Sequence, residues 1–335
     1  MKRLSFKFIT LFLWIGVVLN ACDGAGDQPT RRTQFIMGTL VEITISHSDP
    51  DIIQAVTTQA FDEMKRIELL MSTYLPDSEI SRINRAAGKN AIPVSPEVEE
   101  VIREGLYWAE QSGGAFDITI EPLVQLWDFD GEREIIPGKN TLRKTASLVN
   151  YRNIEIKDHT VRLKKRGMAI NVGGLAKGYA VDRAISILRG MVPNGIVNAG
   201  GDMFAFGQKN KQTPWNIGLQ HPRKPQDLLA AFAVNNQAIA TSGDYQRYFI
   251  KDGVRYHHIF DPQTGRPARL MISATIITTE VVDADALATA VFVMGPDKGI
   301  EWVDSMENVE TMVVLEDGSI RYSKNFQDQP QFSLK

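Results

Sequence analysis

Asn171-Val-Gly-Gly-Leu-Ala-Lys-Gly-Tyr-Ala-Val-Asp182 joins a short apolar run, Met168 to Val172, to a stretch from Leu175 to Arg189 with helical spacing. The apolar run is expected as a strand and the stretch as a helix. Between them, Gly173 and Gly174 let the backbone approach a ligand closely, and a helix N-terminus favours an anion. Lys177 falls in the first helical turn, where a cation opposes the helix dipole. A phosphate facing it would account for its position. The motif is neither G-x-G-x-x-G nor a Walker A loop, because no Ser or Thr follows Lys177-Gly178. A plain tight turn explains the two glycines equally well.

Upstream, the fold is expected to begin at Phe35. Val41, Ile43 and Ile45 alternate with polar residues as in a half-buried strand. Asp49-Pro50 opens a helix with Ile53, Val56, Ala60, Met64, Ile67 and Met71 on one face. Ser95-Pro96 opens another, carrying Val98, Ile102, Leu106 and Ala109, and Ser112-Gly113-Gly114 ends it. Ile154 to Leu163 reads as a hairpin. Downstream, strands are expected around Val197, from Trp215 to Leu219, from Ala231 to Ala240 and from Ser273 to Thr278. Hairpins should turn at Asp252-Gly253 and Asp317-Gly318. Helices are expected near Ala284 to Met294 and Lys298 to Met306. Strand runs broken by helices, without regular βαβ alternation, indicate an α+β fold.

The ends and the composition narrow the setting. Lys2, Arg3 and Lys7 precede an apolar run from Phe8 to Leu19, which is too short and wrongly flanked for a membrane span and reads as a signal peptide. Leu19-Asn20-Ala21-Cys22 resembles a lipobox, so cleavage before Cys22 and lipidation of its thiol are expected. Residues 1–21 are then the leader, 22–32 a lipidated tether, and 33–335 one globular domain. Cys22 is the sole cysteine, which leaves no disulfide, thiolate nucleophile or Cys-ligated metal. Removing the leader leaves 34 positive against 40 negative residues, a net of −6, which does not favour nucleic acid as a partner. Asp23 resembles the signal that retains lipoproteins in the inner membrane.

Further chemistry clusters in three places. Asp285 and Thr289 stand four apart, so both oxygens leave one helix face, as suits a hard cation such as Mg²⁺. Asp283 is expected as an N-cap. His257 and His258 end a strand before Asp261-Pro-Gln-Thr-Gly265, where adjacent side chains face opposite ways. One of them could serve as a general base, and a structural role fits either. Ser242 has no Ser-His-Asp elbow around it and is read as a ligand contact or turn residue.

Met37-Gly38-Thr39, Ser72-Thr-Tyr74, Ser78-Glu79-Ile80, Ala115-Phe-Asp-Ile-Thr119, Gly173-Gly-Leu-Ala-Lys-Gly-Tyr179, Asn198-Ala-Gly-Gly-Asp202, Ala240-Thr-Ser-Gly243, His257-His-Ile259 and Ala284-Asp-Ala-Leu-Ala-Thr289 follow one another in the order seen in the ApbE family of FAD:protein FMN transferases. The resemblance spans residues 35–295. It implies mixed, largely antiparallel sheets with packed helices, in two lobes around a flavin-binding cleft. It also implies that Met37, Tyr74, Ala115, Phe116, Asp117, Asn171, Lys177 and Ile259 contact FAD. Gly174 (by its carbonyl), Asp285 and Thr289 match the family's metal site. His257 matches its candidate base, with His258 left open. One departure stands at Asn171, where the family often has Asp.

The activity implied is Mg²⁺-dependent transfer of FMN from FAD to a Ser or Thr hydroxyl of an acceptor protein, with release of AMP. Lys177 and Asp285 would serve it beside the base. The acceptor is expected to be a subunit of a membrane redox complex, and the enzyme to be lipid-anchored on the periplasmic side of the inner membrane. Two other functions fit the same residues: a Mg²⁺-dependent FAD pyrophosphatase yielding FMN and AMP, and a non-enzymatic lipoprotein that captures a flavin or other small molecule.

Overall fold

The computed structural model describes residues 28–129, 134–210 and 213–335. The leader, Cys22, Asp23 and most of the expected tether lie outside the described residues. Eight α-helices occur among them: α1 (Pro50–Met71), α2 (Glu79–Arg85), α3 (Pro96–Gln111), α4 (Glu121–Trp127), α5 (Lys139–Ala146), α6 (Gly173–Arg189), α7 (Val281–Met294) and α8 (Pro296–Val303). None is long and apolar enough to cross a membrane.

An eight-stranded sheet forms the centre. Its spatial order is β1 (Thr30–Ile36), β2 (Thr39–Ile45), β6 (Gly195–Ala199), β7 (Asp202–Phe206), β11 (Gln237–Gly243), β16 (Met271–Thr278), β17 (Glu310–Leu315) and β18 (Ile320–Tyr322). A second sheet runs β19 (Ser333–Leu334), β10 (Lys224–Val234), β9 (Thr213–His221) and β8 (Gln208–Asn210). Smaller ladders join β3 (Ile92–Pro93), β5 (Thr160–Leu163) and β4 (Ile154–Lys157), then β12 (Tyr248–Lys251) with β13 (Val254–His257), and β14 (Phe260–Asp261) with β15 (Arg266–Pro267). All these pairings are antiparallel, so the α+β expectation holds.

Alternation along the central strands divides the core in two. Phe204, Phe206, Ala238, Ala240, Ala274, Ile276 and Val313 face α1, α3, α6 and α7 in the largest apolar cluster. Ala205, Ile239, Ile277, Met312 and Val314 face the opposite way, onto Trp215, Ile217, Phe232 and Phe326 of the second sheet and C-terminal segment. A third cluster gathers Leu123, Trp127, Leu142, Phe249 and Phe260. Each of the larger side chains among these, taken fully out of water, contributes on the order of 1.5–3 kcal/mol. Helix α7 is apolar nearly all round, and ten of its residues are buried, as expected for a helix enclosed on every side.

Several sequence expectations shift. The first strand starts at Thr30, inside the expected tether and ahead of Phe35. Met168 to Val172 has no strand ladder. It is held instead by the Asn84 side chain, which bonds both the N–H and the carbonyl of Ile170. The run from Ala231 to Ala240 is two strands in different sheets, broken at Asn236, whose φ is 53°. Helices α2, α4 and α5 are too short to impose a clear apolar period, and the sequence reading did not place them.

Candidate active site

Helix α6 begins at the glycines of the opening motif. Gly174 departs from helical geometry (φ −87°, ψ 17°), and a Cβ there would lie 3.1 Å from the Phe116 ring and 3.8 Å from Thr289 Oγ1. The glycine thus brings α6, the Phe116 segment and α7 to one point. Asn171 fixes the approach: its Oδ1 accepts from Gly173 N–H at 2.7 Å, and its Nδ2 donates to Glu121 Oε2 at 2.7 Å. Glu121 is buried, which raises its pKa against the opposing bonds from Asn171 and Gln125. An aspartate at 171 would set a second carboxylate against it, so the amide suits this chain.

One turn further, Lys177 reaches across to two acids from distant strands and helices. Its Nζ lies 2.6 Å from Asp202 Oδ2, 2.9 Å from Asp285 Oδ2 and 3.2 Å from the Gly173 carbonyl. Asp202 stands just past the Gly200-Gly201 turn between β6 and β7, where both φ values are positive (67° and 108°), a conformation glycine adopts freely. Asp285 is enclosed in α7. Burial pushes the Asp202 carboxyl up to about 7, the charge of Asp285 adding to the rise and Lys177 opposing it. Burial alone would depress the Lys177 ammonium, but the two carboxylates outweigh it and hold the pKa above the ordinary lysine value.

Thr289 Oγ1 meets Ser242 Oγ of β11 at 3.1 Å. Ser242 is therefore a polar contact at this point, as its surroundings in the sequence suggested. Asp283 is not the cap of α7. Glu280 occupies that position, and the first two N–H groups are bonded by Asp182 of α6 at 3.0 and 2.9 Å. Asp283 accepts instead from Trp108 Nε1 at 2.9 Å.

The two histidines have different surroundings. His257 is 3 % exposed and packs edge-on against Phe292. Its Nε2 donates to the Ala268 carbonyl at 2.8 Å and its Nδ1 accepts from Ile259 N–H at 3.3 Å, so both ring nitrogens are engaged. Burial lowers its pKa to about 4. His258 turns the other way, with Nδ1 3.3 Å from the Arg247 carbonyl. Burial first, then the positive Arg247, with Lys177 among further contributors, lowers its pKa to about 4. The charge of Lys177 is among those that act on His258.

At the same end of the central sheet as the Gly200-Gly201 turn, Met37 and Gly38 form the two-residue turn between β1 and β2, with φ values of 55° and 73°. Positive φ is costly for Met, and its N–H is held by Glu68 Oε1 at 2.9 Å. The exposed Tyr74 hydroxyl accepts from Arg247 Nη1 at 3.2 Å, and a Cβ on Gly38 would lie 3.9 Å from Arg247 Nη2. Met37, Tyr74 and Arg247 thus share one edge. Asp117 turns inward, accepting from Thr119 N–H and Oγ1 and from Tyr151 N–H. Its carboxylate shapes the Ala115–Asp117 segment, and burial raises its pKa. Ile259 is buried behind the histidines, with its carbonyl bonded to Ala268 N–H.

The sequence reading missed Asp202 as a partner of Lys177, and also Arg247, Glu121 and Asp182. Asp202 was visible as the end of a small, polar strand turn. Nothing local marked the others. No group of three or more His, Cys, Asp or Glu side chains able to hold a metal ion occurs among the described residues. A cation here would draw on a mixed oxygen set: the Asp285 carboxylate, the Thr289 hydroxyl and the Gly174 carbonyl. That set suits a hard ion retaining part of its hydration. The ammonium of Lys177 already sits against Asp285 as a cation supplied by the protein, so the donors fit.

This α+β fold is the fold of solved flavin transferases. An ApbE protein from Thermotoga maritima aligns with a TM-score of 0.85 at 36% identity, covering 91% of this chain and 100% of that one. The flavinyl transferase ApbE of Pseudomonas stutzeri aligns with a TM-score of 0.82 at 27% identity, covering 92% and 98%. An FAD:protein FMN transferase of Treponema pallidum is 30% identical over 94% of each chain. The ApbE family pattern matches residues 37–313. The chain belongs to the ApbE family.

Proposed function

We propose that this protein transfers the FMN half of FAD to a Ser or Thr hydroxyl of an acceptor protein, releasing AMP, and that it requires Mg²⁺. It is an enzyme of the flavin-transferase class, as its relatives are described along nearly their whole length. The observation that carries the reading is the Lys177 ammonium at the start of α6, beside Gly174, Asp285 and Thr289. Gly174, Asp285 and Thr289 would hold Mg²⁺, which when bound neutralises charge on the phosphate oxygens and acts as a Lewis acid.

The chain's own groups supply the rest. Lys177 and the α6 N-terminus attract the pyrophosphate. The isoalloxazine would lie along the Met37 and Tyr74 edge, and Ala115, Phe116, Asn171 and Ile259 would bound the remainder of FAD. The acceptor hydroxyl attacks the FMN-side phosphorus, the bond to the AMP oxygen breaks, and AMP leaves with the electron pair. His258 takes the hydroxyl proton, because both nitrogens of His257 are engaged. His257 then acts as a positioning residue that fixes the strand end. In the same reading Cys22 carries the lipid anchor, the enzyme works on the periplasmic face of the inner membrane, and the acceptor is a membrane redox subunit.

The test incubates the full-length chain, purified in detergent, with FAD, Mg²⁺ and an acceptor bearing a flavinylation-type Ser/Thr segment. A fluorescent acceptor band on a denaturing gel, removed by EDTA, is the expected result. Asp285→Ala should abolish it, and wild-type rates in that variant would sink the metal assignment. Free FMN and AMP without a band would favour the pyrophosphatase. Recovery of intact, bound FAD would favour capture.

A further inference from the structure

We infer that Asp202 is a positioning residue that takes over the Lys177 ammonium when a divalent cation occupies Asp285. The inference rests on the reading that Asp285 holds the metal. Lys177 is shared between the two carboxylates, 2.6 Å from Asp202 and 2.9 Å from Asp285. A divalent ion arriving at Asp285 competes with the ammonium for the same oxygens and repels it at short range. If Asp202 were absent, the displaced ammonium would keep only the Gly173 carbonyl, at 3.2 Å, and would face the metal without a counter-charge. Asp202 offers the alternative seat with hardly any movement of the lysine.

The hairpin itself has no need of this carboxylate. β6 and β7 pair through their backbones at Ala199 and Asp202, and the turn is tied by Asn198 Oδ1, which accepts from Gly201 N–H at 2.9 Å. Asp202 Oδ2 is buried and has no hydrogen-bond partner beyond its ion pair with Lys177. A buried carboxylate with a single ionic partner costs stability, so its place here is accounted for by Lys177 and not by the hairpin.

Charge bookkeeping makes the inference testable without turnover. At pH 8, where both carboxylates are ionised, the three side chains sum to −1 in the wild type, to 0 in Asp202→Asn, and again to −1 in the double variant Asp202→Asn/Lys177→Met. Mn²⁺ is the probe, with free ion read by electron paramagnetic resonance on the full-length chain in the absence of FAD. Asp202→Asn should bind Mn²⁺ roughly tenfold or more weakly, the scale typical of outer partners of metal sites. Lys177→Met should bind it more tightly than wild type, and the double variant should recover the wild-type affinity. Unchanged affinity in Asp202→Asn, or a double variant as weak as Asp202→Asn, overturns the inference. Should Asp202→Asn fail to fold, Lys177→Met decides alone: affinity equal to or below wild type refutes the competition. An Asp285→Ala variant that binds Mn²⁺ as well as wild type removes the metal reading, and this inference with it. Loss of affinity in Asp285→Ala alone retains that reading and refutes only the role of Asp202.

Discussion

His257 and His258 are neighbours in sequence with unlike surroundings, and the difference sets their chemistry. Strand geometry sends one ring into the core against Phe292 and the other toward the Arg247 carbonyl. The sequence could establish that the two rings diverge, but not which of them would pack into the core, because that depends on the position of Phe292 in α7. His258 must be neutral to accept a proton. Burial and its positive neighbours lower its pKa from 6.5 to about 4, so the neutral form persists through the acid range and is lost only as the pH falls through about 4. The profile of kcat/KM, which reports the free enzyme, should therefore show no break near 6.5 on its acid side. His258→Asn should cut kcat/KM on the order of 10²–10⁴-fold at neutral pH, while His257→Asn should act mainly through stability. An acid limb centred near the ordinary imidazole pKa that is retained in Asp202→Asn, which lacks the raised carboxyl, would contradict the environment of His258.

Helices α6 and α7 cross where the site needs its closest approach. Asp182 of α6 accepts from the first two N–H groups of α7, and Gly178 removes the side chain that would hold the helices apart. A Cβ on Gly178 would lie 2.4 Å from the Val281 carbonyl oxygen and 2.7 Å from Val282 Cα. Those atoms are backbone at a helix start and cannot rotate aside. Gly178→Ala should thus displace α7 and move Asp285 away from Lys177, although alanine favours helix over glycine. The expected loss is about 1–3 kcal/mol in unfolding free energy, with a fall in transfer rate larger than the fall in stability accounts for. Denaturant melts and transfer assays on the same preparation measure both, and a stabilised, fully active variant would rule out the close crossing. At this scale the sequence was legible wherever an element carried its own period and cap. The α1 and α3 caps at Asp49 and Ser95 are where the sequence placed them. It was not legible at Met168 to Val172, where an Asn84 side chain replaces a strand partner, nor at Asp283, whose expected cap position belongs to Glu280.

Across the whole molecule, the cleft is drawn from segments as far apart in sequence as Met37 and Thr289, set at one end of the central sheet and the helices packed on it. The fold class was legible because alternation and helical spacing are local. The pairing of Lys177 with Asp202 and Asp285 was not, since it is created only when β7 and α7 close over α6. A ligand bridging those elements stabilises the assembled fold, because the unfolded chain offers no such site. On the proposed reading, Mg²⁺ alone would meet Lys177 in competition at Asp285, and FAD alone would bring phosphate charge with no cation but lysine to meet it. Each would therefore create a better site for the other, and the coupling would be reciprocal. The midpoint of thermal unfolding should rise little with either alone, and with both by more than the sum of the separate shifts. Removal of the metal by EDTA should return the melt to that with FAD alone. In Asp285→Ala the excess should vanish while the shift with FAD alone remains. Strictly additive shifts in the wild type would mean that metal and flavin bind without sharing the phosphates, and would move the cation away from the scissile bond.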